Sequence, residues 1–159
     1  MKDLANDKFG FKLPDTEWKP PPGARRRFHA MVKPIGSTCN LDCAYCYYLS
    51  KAKLLDQHSD RRISDELLES FIHQYIEGQD GEQAVFSWQG GEPTLLGIDF
   101  FRKVVELEKK YKRANQRIAN DLQTNGTLLT EEWCKFLYQN NFLVGLSIDG
   151  PKELHNTYR

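Results

Sequence analysis

The sequence predicts an α/β fold built from parallel β/α units. Along its 159 residues, four short apolar segments suited to strands alternate with three segments whose apolar residues recur at helical spacing. Each connection between strands is long enough to hold a helix, which is how parallel strands are joined. Such crossovers are nearly always right-handed, so we expect an open sheet or a sheet that curls toward a barrel.

Regular structure is expected from residue 28 onward. Residues 28–35 are predicted to form the first strand. Ser64 is a suitable N-cap for the first helix, which should end at residues 78–81. Residues 84–88 read as a short apolar second strand. The apolar positions predicted for the buried face of the first helix are Leu67, Leu68, Phe71, Ile72, Tyr75 and Ile76.

The second half repeats the alternation. Asp99 is predicted to cap the second helix and Thr130 the third. Residues 118–124 form a weaker third strand, and residues 142–148 form a clear apolar fourth strand. The inward positions of the two helices are predicted to be Phe101, Val104, Val105, Tyr111, Trp133, Phe136 and Leu137.

Residues 1–27 are expected to be a poorly ordered leader before a core domain at 28–159. Apolar residues are sparse in this stretch, and Lys-Pro-Pro-Pro-Gly at 19–23 cannot continue a helix or a central strand. The basic triplet at 25–27 is typical of a solvated surface.

Composition and charge narrow the class of protein. Apolar residues make up 40% of the chain, and 22 Lys+Arg balance 22 Asp+Glu, for a net charge of 0. These values exclude a disordered chain and predict no general attraction to nucleic acid or anionic membrane. There is no run of about 18 apolar residues and no apolar secretory signal, so a cytoplasmic protein without a membrane partner is expected.

Polar, glycine-bearing segments follow all four predicted strands, at residues 36–46, 89–93, 123–126 and 147–150. The carboxyl ends of parallel strands share one edge of the sheet, and that edge carries the ligand site in α/β folds. The sequence therefore predicts one site built from these four segments.

Three cysteines, Cys39, Cys43 and Cys46, lie in the first of these segments. Thiolates are soft ligands that suit iron–sulfur clusters or zinc. A structural zinc site needs a fourth ligand, and Cys134 lies far along the chain, where we expect a buried core residue. The spacing therefore favours a [4Fe–4S] cluster with one open iron, which an amine and a carboxylate could chelate, and leaves zinc as the alternative.

The segment Gly90-Gly91-Glu92-Pro93 suits a ligand with an ammonium group. The two glycines permit a close approach of the backbone or a positive φ, and Glu92 supplies an anionic acceptor. The alternative is a tight turn with a solvated glutamate.

With these residues in place, the sequence resembles the radical S-adenosylmethionine superfamily, in which CxxxCxxC holds the cluster and GGEP binds the methionine amino group. More narrowly, it resembles the anaerobic sulfatase-maturating enzymes from Phe28 to Arg159. The stretches that carry this likeness are Lys33-Pro34, Cys39-Asn40-Leu41, Tyr45-Cys46-Tyr47-Tyr48, Trp88-Gln89-Gly90-Gly91-Glu92-Pro93-Thr94-Leu95, Gln123-Thr124-Asn125-Gly126-Thr127-Leu128 and Gly145-Leu146-Ser147-Ile148-Asp149-Gly150-Pro151.

The resemblance implies a role for each matched residue. The cluster would be held by Cys39, Cys43 and Cys46. S-adenosylmethionine would be contacted by Tyr45, Gly91, Glu92, Ser147 and Arg159. The substrate end of the site would be lined by Tyr48 and Gln89.

The resemblance also implies a reaction and a complete fold. A one-electron donor of the flavodoxin or ferredoxin type reduces the cluster, and S-adenosylmethionine is cleaved to methionine and a 5′-deoxyadenosyl radical. The radical removes a hydrogen atom from Cβ of a Cys or Ser in a target sulfatase, and oxidation gives formylglycine. Members complete a partial (β/α)6 barrel similar to a TIM barrel, of which this chain would be the first part.

Members are considerably longer than this chain and carry auxiliary cysteines and a catalytic Asp in their second half. We therefore expect a truncated chain, incomplete for catalysis, with no catalytic residue of its own, since Asp149 belongs to a different motif. The alternatives are another peptide-modifying member of the superfamily and a non-catalytic metal-binding protein.

Overall fold

Four parallel strands form one sheet in the computed structural model, which describes residues 22–23, 28–49 and 62–159. The sheet order is β1-β2-β3-β4, and each neighbouring pair is parallel. The strands are β1 (Ala30–Val32), β2 (Gln83–Trp88), β3 (Arg117–Thr124) and β4 (Phe142–Leu146). The predicted parallel β/α architecture is confirmed, with a first strand shorter than residues 28–35. The predicted leader lies outside the described residues, apart from 22–23.

Helices follow the strands in the expected alternation. They are α1 (Asp65–Gly78), α2 (Ile98–Tyr111), α3 (Glu131–Gln139) and α4 (Lys152–Tyr158), with a 3-10 helix at Pro93–Leu96. The 3-10 helix and α4 were not predicted, because each is too short to show helical periodicity. Within the described ranges, no helix has the length and apolar character needed to cross a membrane.

Two of the three predicted helix caps are present. The Ser64 hydroxyl accepts a hydrogen bond from the amide of Leu67 at 3.2 Å. The Thr130 hydroxyl accepts one from the amide of Trp133 at 3.4 Å. Each bond satisfies a backbone donor that the first turn of the helix leaves open.

The predicted cap at Asp99 is wrong. The 3-10 helix ends at Gly97, whose φ of 82° redirects the chain so that α2 begins at Ile98 without a side-chain cap. Asp99 instead lies in the first turn, where it pairs with Arg102 at 2.6 Å.

One face of the sheet packs against α1, α2 and α3 to form the core. Phe86, Trp88 and Leu122 from the strands are fully buried, as is Phe101 from α2. Leu67 is 58% exposed, so its predicted place in the core is wrong. The remaining fully buried apolar side chains of this core include Leu68, Ile72, Ile76, Ala84 and Val104.

A buried polar chain runs through this core. The indole Nε1 of Trp88 donates to Asn120 Oδ1 at 2.7 Å, and Asn120 Nδ2 donates to Glu108 Oε2 at 2.9 Å. The other carboxylate oxygen of Glu108 has no partner among the described residues. Burial raises the pKa of Glu108 from its ordinary value of 4.5 to about 8, against a smaller lowering by the Asn120 hydrogen bond.

Candidate active site

A cavity of about 360 Å3 lies at the carboxyl ends of the strands, where the sequence predicts the site. All four segments that follow the strands contribute to it. Its lining residues are Cys39, Leu41, Cys43, Tyr45, Cys46, Tyr47, Tyr48, Gln89, Gly90, Gly91, Gln123, Thr124, Asn125, Ser147 and Arg159. A larger cavity of about 690 Å3 lies near the amino ends of β1 and β2, but it contains none of the predicted site residues.

The three clustered cysteines, Cys39, Cys43 and Cys46, line this cavity. Cys43 is buried, whereas Cys39 and Cys46 are partly exposed, and none is in a disulfide. Burial raises the pKa of the Cys43 thiol; Arg159 opposes this shift, and the neighbouring thiols of Cys39 and Cys46 add to it. An iron atom would stabilise the thiolate form.

The donor set fits an iron–sulfur cluster. Three soft sulfur ligands line one cavity, and each would bind a separate iron. Across the described ranges, no three His, Cys, Asp or Glu side chains converge on a single metal ion. Cys134 is exposed on α3, so its predicted burial is wrong: it follows the buried Trp133 and points to the outer side of the helix.

The glycine turn (residues 89–93) packs directly on the cysteine loop (residues 36–46). The Gly91 amide donates to Gly36 O at 2.9 Å, and the Glu92 amide donates to Thr38 O at 2.8 Å. A Cβ on Gly91 would lie 2.0 Å from Thr38 O, and Gly90 has a φ of 127°. Gly90 thus has the positive φ that the sequence suggested, and Gly91 allows a close approach of the backbone to Thr38 of the cysteine loop.

Glu92 is buried behind the cavity wall, with a side chain that is 1% exposed. Its Oε1 accepts hydrogen bonds from the Thr94 amide at 3.1 Å, the Thr94 hydroxyl at 2.6 Å and the Thr124 hydroxyl at 2.7 Å. Its Oε2 accepts from the Asn125 amide at 2.7 Å. The carboxylate therefore joins the glycine turn to the end of β3, and the alternative of a solvated glutamate is wrong.

No cationic side chain of the described residues forms an ion pair with Glu92. A buried carboxylate without a counter-charge favours a cation nearby. Among the described residues, the carboxylate of Glu92 is therefore held by hydrogen bonds and not by an ion pair.

A second wall is formed where the cysteine loop meets the end of the chain. The Tyr45 hydroxyl donates to Asp149, and Arg159 Nε donates to Asp149 Oδ2 at 3.0 Å. The Arg159 guanidinium lies 5.7 Å from the centre of the Tyr45 ring. The hydrogen bond from Tyr45, aided by the charge of Arg159, lowers the pKa of Asp149, and the same bond raises the pKa of Tyr45.

The sequence left Asp149 without a role, although it lies in one of the four segments predicted to form the site. Gln123 was missed in the same way. Its Nε2 donates to the Ser147 hydroxyl at 2.8 Å, and a Cβ on Gly145 would lie 2.3 Å from Gln123 Oε1. Gly145 therefore leaves the space in which Gln123 orients Ser147.

The predicted substrate residues also lie in this cavity. The backbone N–H of Gln89 donates a hydrogen bond to the backbone oxygen of Val32 at 2.8 Å, and this bond holds the glycine turn to β1. The Lys33 ammonium lies 5.2 Å from the centre of the Tyr48 ring. Of all the predicted site residues, only Glu92 does not line the cavity.

Comparison with known proteins gives one family. The model for the radical SAM superfamily matches residues 34–159. A serine-type anaerobic sulfatase-maturating enzyme from Bacteroides thetaiotaomicron is 53% identical over 131 residues, which is 82% of this chain and 31% of the relative. A cysteine-type enzyme from Clostridium perfringens is 49% identical over 129 residues, covering 81% of this chain and 35% of the relative.

Solved structures agree with this result. The structure described as native anSMEcpe with bound AdoMet superposes with a TM-score of 0.73 and 48% identity, over 81% of this chain and 35% of that one. A structure that also holds a Cp18Cys peptide gives a TM-score of 0.71 at 48% identity, over 81% of this chain and 33% of that one. The chain thus spans about a third of the length of these relatives.

Proposed function

This chain belongs to the radical SAM superfamily, and on that premise we propose that it binds a [4Fe–4S] cluster and S-adenosylmethionine at the carboxyl ends of its strands. One observation carries the proposal: three free thiols and the glycine turn line the same cavity of about 360 Å3. When bound, the reduced cluster and S-adenosylmethionine together supply a 5′-deoxyadenosyl radical that abstracts a hydrogen atom. The protein supplies the position of both groups and the exclusion of water.

The chain's own residues divide this work. Cys39, Cys43 and Cys46 hold the cluster through their sulfurs. The backbone of Gly91 receives the amino group of the cofactor, and the buried carboxylate of Glu92 favours that positive charge electrostatically.

The second wall of the cavity holds the other end of the cofactor. Ser147 and Arg159 present a hydroxyl and a guanidinium to its carboxylate or ribose, and Tyr45 contacts the cofactor beside Arg159. Residues 28–159 are accordingly assigned to the first part of a radical SAM core domain.

The substrate is proposed to be a sulfatase peptide whose Cys or Ser becomes formylglycine, with Tyr48 and Gln89 facing it. The likeness to sulfatase-maturating enzymes of both the serine and the cysteine type supports this assignment. A one-electron donor of the flavodoxin or ferredoxin type would be the second partner, with no part for nucleic acid or membrane. Free thiols suit a reducing cytoplasm.

Anaerobic reconstitution with ferrous iron and sulfide tests the cluster assignment. The wild-type chain is expected to turn brown and retain inorganic sulfide, and Cys43→Ala is expected to lose both. Cys134→Ala is the matched control because this cysteine is exposed and outside the cavity. A colourless wild-type protein that holds zinc would instead support the non-catalytic alternative, and a brown Cys43→Ala protein would refute the ligand assignment.

Replacing Glu92 with alanine is expected to weaken S-adenosylmethionine binding to the reconstituted chain by roughly tenfold. The variant removes a buried negative charge and leaves the Thr124 hydroxyl and the Asn125 amide without their acceptor. Isothermal titration calorimetry measures the change, with the exposed Glu131→Ala as control. An unchanged dissociation constant would show that Glu92 has no part in cofactor binding.

A further inference from the structure

We propose that Asp149 is a positioning residue, which holds Tyr45 and Arg159 at the cavity and clamps the cysteine loop to the last helix. The proposal rests on the proposed function for what the clamp serves, but the clamp itself is a property of the chain. Asp149 lies in the turn after β4 and touches neither the glycine turn nor the three cysteines in the contacts described above.

One carboxylate oxygen connects two distant segments. Oδ2 of Asp149 accepts the hydrogen bond from the Tyr45 hydroxyl, 104 positions earlier in the chain, and the bond from Arg159 Nε at 3.0 Å. A backbone hydrogen bond from the Ala44 amide to Tyr158 O at 2.9 Å runs beside them. The cysteine loop, the turn after β4 and α4 are therefore joined at one point.

The burial of the pair distinguishes it from an ordinary surface ion pair. The Arg159 side chain is 15% exposed and the Asp149 side chain 29%, whereas the Asp99 carboxylate that pairs with Arg102 is 88% exposed. Exposed ion pairs of that kind contribute little to the free energy of unfolding, because water and salt screen the attraction between the charges. A partly buried carboxylate with two donors on one oxygen fixes both partners more firmly.

The direction of the Arg159 hydrogen bond has a functional consequence. The guanidinium has five donors in one plane, and Asp149 takes the Nε–H. That bond fixes the rotation of the guanidinium, and Arg159 is one of the residues that line the cavity. Asp149 thus orients the Arg159 cation toward the carboxylate or ribose of the cofactor. The negative charge of Asp149 also offsets part of the positive charge of Arg159, which reduces its repulsion of the sulfonium group of the cofactor.

Two measurements on Asp149→Ala test the proposal, with Asp99→Ala as the matched control carboxylate. The first is hydrogen exchange of the cluster-free chain, which needs neither cofactor. Amides at residues 43–46 and 158–159 are expected to exchange several-fold faster in Asp149→Ala and at the wild-type rate in the control. Asp149→Asn retains an oxygen acceptor and should fall between them. Exchange in Asp149→Ala equal to that of the control would overturn the clamp.

The second measurement is calorimetric binding of S-adenosylmethionine to the reconstituted chain. Asp149→Ala is expected to bind roughly tenfold more weakly, with unchanged cluster absorbance because the three thiols remain. Unchanged affinity would overturn the positioning role. If the wild-type chain itself bound no S-adenosylmethionine, the proposed function would fail, while the exchange experiment would still decide whether Asp149 clamps the loop.

Discussion

Replacing Gly91 with alanine is expected to destabilise the chain by roughly 3 kcal/mol and to abolish S-adenosylmethionine binding. The added methyl group would lie 2.0 Å from the oxygen and 2.4 Å from the carbonyl carbon of Thr38. Both atoms belong to the backbone, so no flexible side chain can move aside. The cysteine loop must shift, and it then loses the hydrogen bond from the Glu92 amide to Thr38 O.

Urea unfolding and calorimetry with S-adenosylmethionine measure the two effects. Gly97→Ala is the control, because a Cβ there meets nothing within 4 Å although its φ is 82°. That variant should lose roughly 1–3 kcal/mol from backbone strain, because its φ of 82° and ψ of 162° suit only glycine, and it should keep the cofactor site. Cofactor binding in Gly91→Ala equal to that of Gly97→Ala would contradict the steric role assigned to Gly91.

Replacing Glu108 with glutamine is expected to stabilise the chain at alkaline pH by on the order of 3–5 kcal/mol. The pKa of Glu108 is raised from 4.5 to about 8 by burial. The folded state therefore holds the proton more tightly than the unfolded state. This favourable contribution is fully present below pH 4.5 and is lost as the pH rises through about 8. Glutamine keeps an acceptor for Asn120 and cannot ionise.

Unfolding free energies measured by urea denaturation between pH 5 and pH 9 test this linkage. The advantage of Glu108→Gln over wild type should be small at pH 5 and should grow steadily toward pH 9. Glu106→Gln, an exposed position on the same helix, should track the wild-type chain throughout. A difference between Glu108→Gln and wild type that does not change with pH would exclude ionisation of Glu108 as its cause.

The architecture follows closely from local patterns. Alternating apolar segments placed all four strands, and the hydroxyls of Ser64 and Thr130 marked the start of two helices correctly. The Asp99 cap was wrong because a proline-led 3-10 helix and the positive φ of Gly97 set the start of α2. Neither feature leaves a periodic signal in the sequence.

The burial of individual side chains was predicted less well than the order of strands and helices. Cys134 and Leu67 were both expected in the core and are both exposed. Each follows or precedes a buried residue on its helix, and neighbouring residues on a helix face different directions, so one of the two faces solvent. The alternative of a solvated Glu92 was wrong, because the side chain is buried between the glycine turn and β3. Two of its partners, Thr124 and Asn125, lie 32 and 33 positions away, so its neighbours in sequence do not reveal them.

The amino-acid sequence by itself determined the parallel β/α order, the four polar segments that follow the strands and the three-sulfur donor set. Each of these depends on residue type and short spacing, which local chemistry controls. Only the tertiary structure decided that Gly91 packs on Thr38, that Gln123 orients Ser147 and that Asp149 joins Tyr45 to Arg159. These contacts exist because parallel strands bring their carboxyl ends to one edge, where residues such as Tyr45 and Asp149, 104 positions apart, become neighbours.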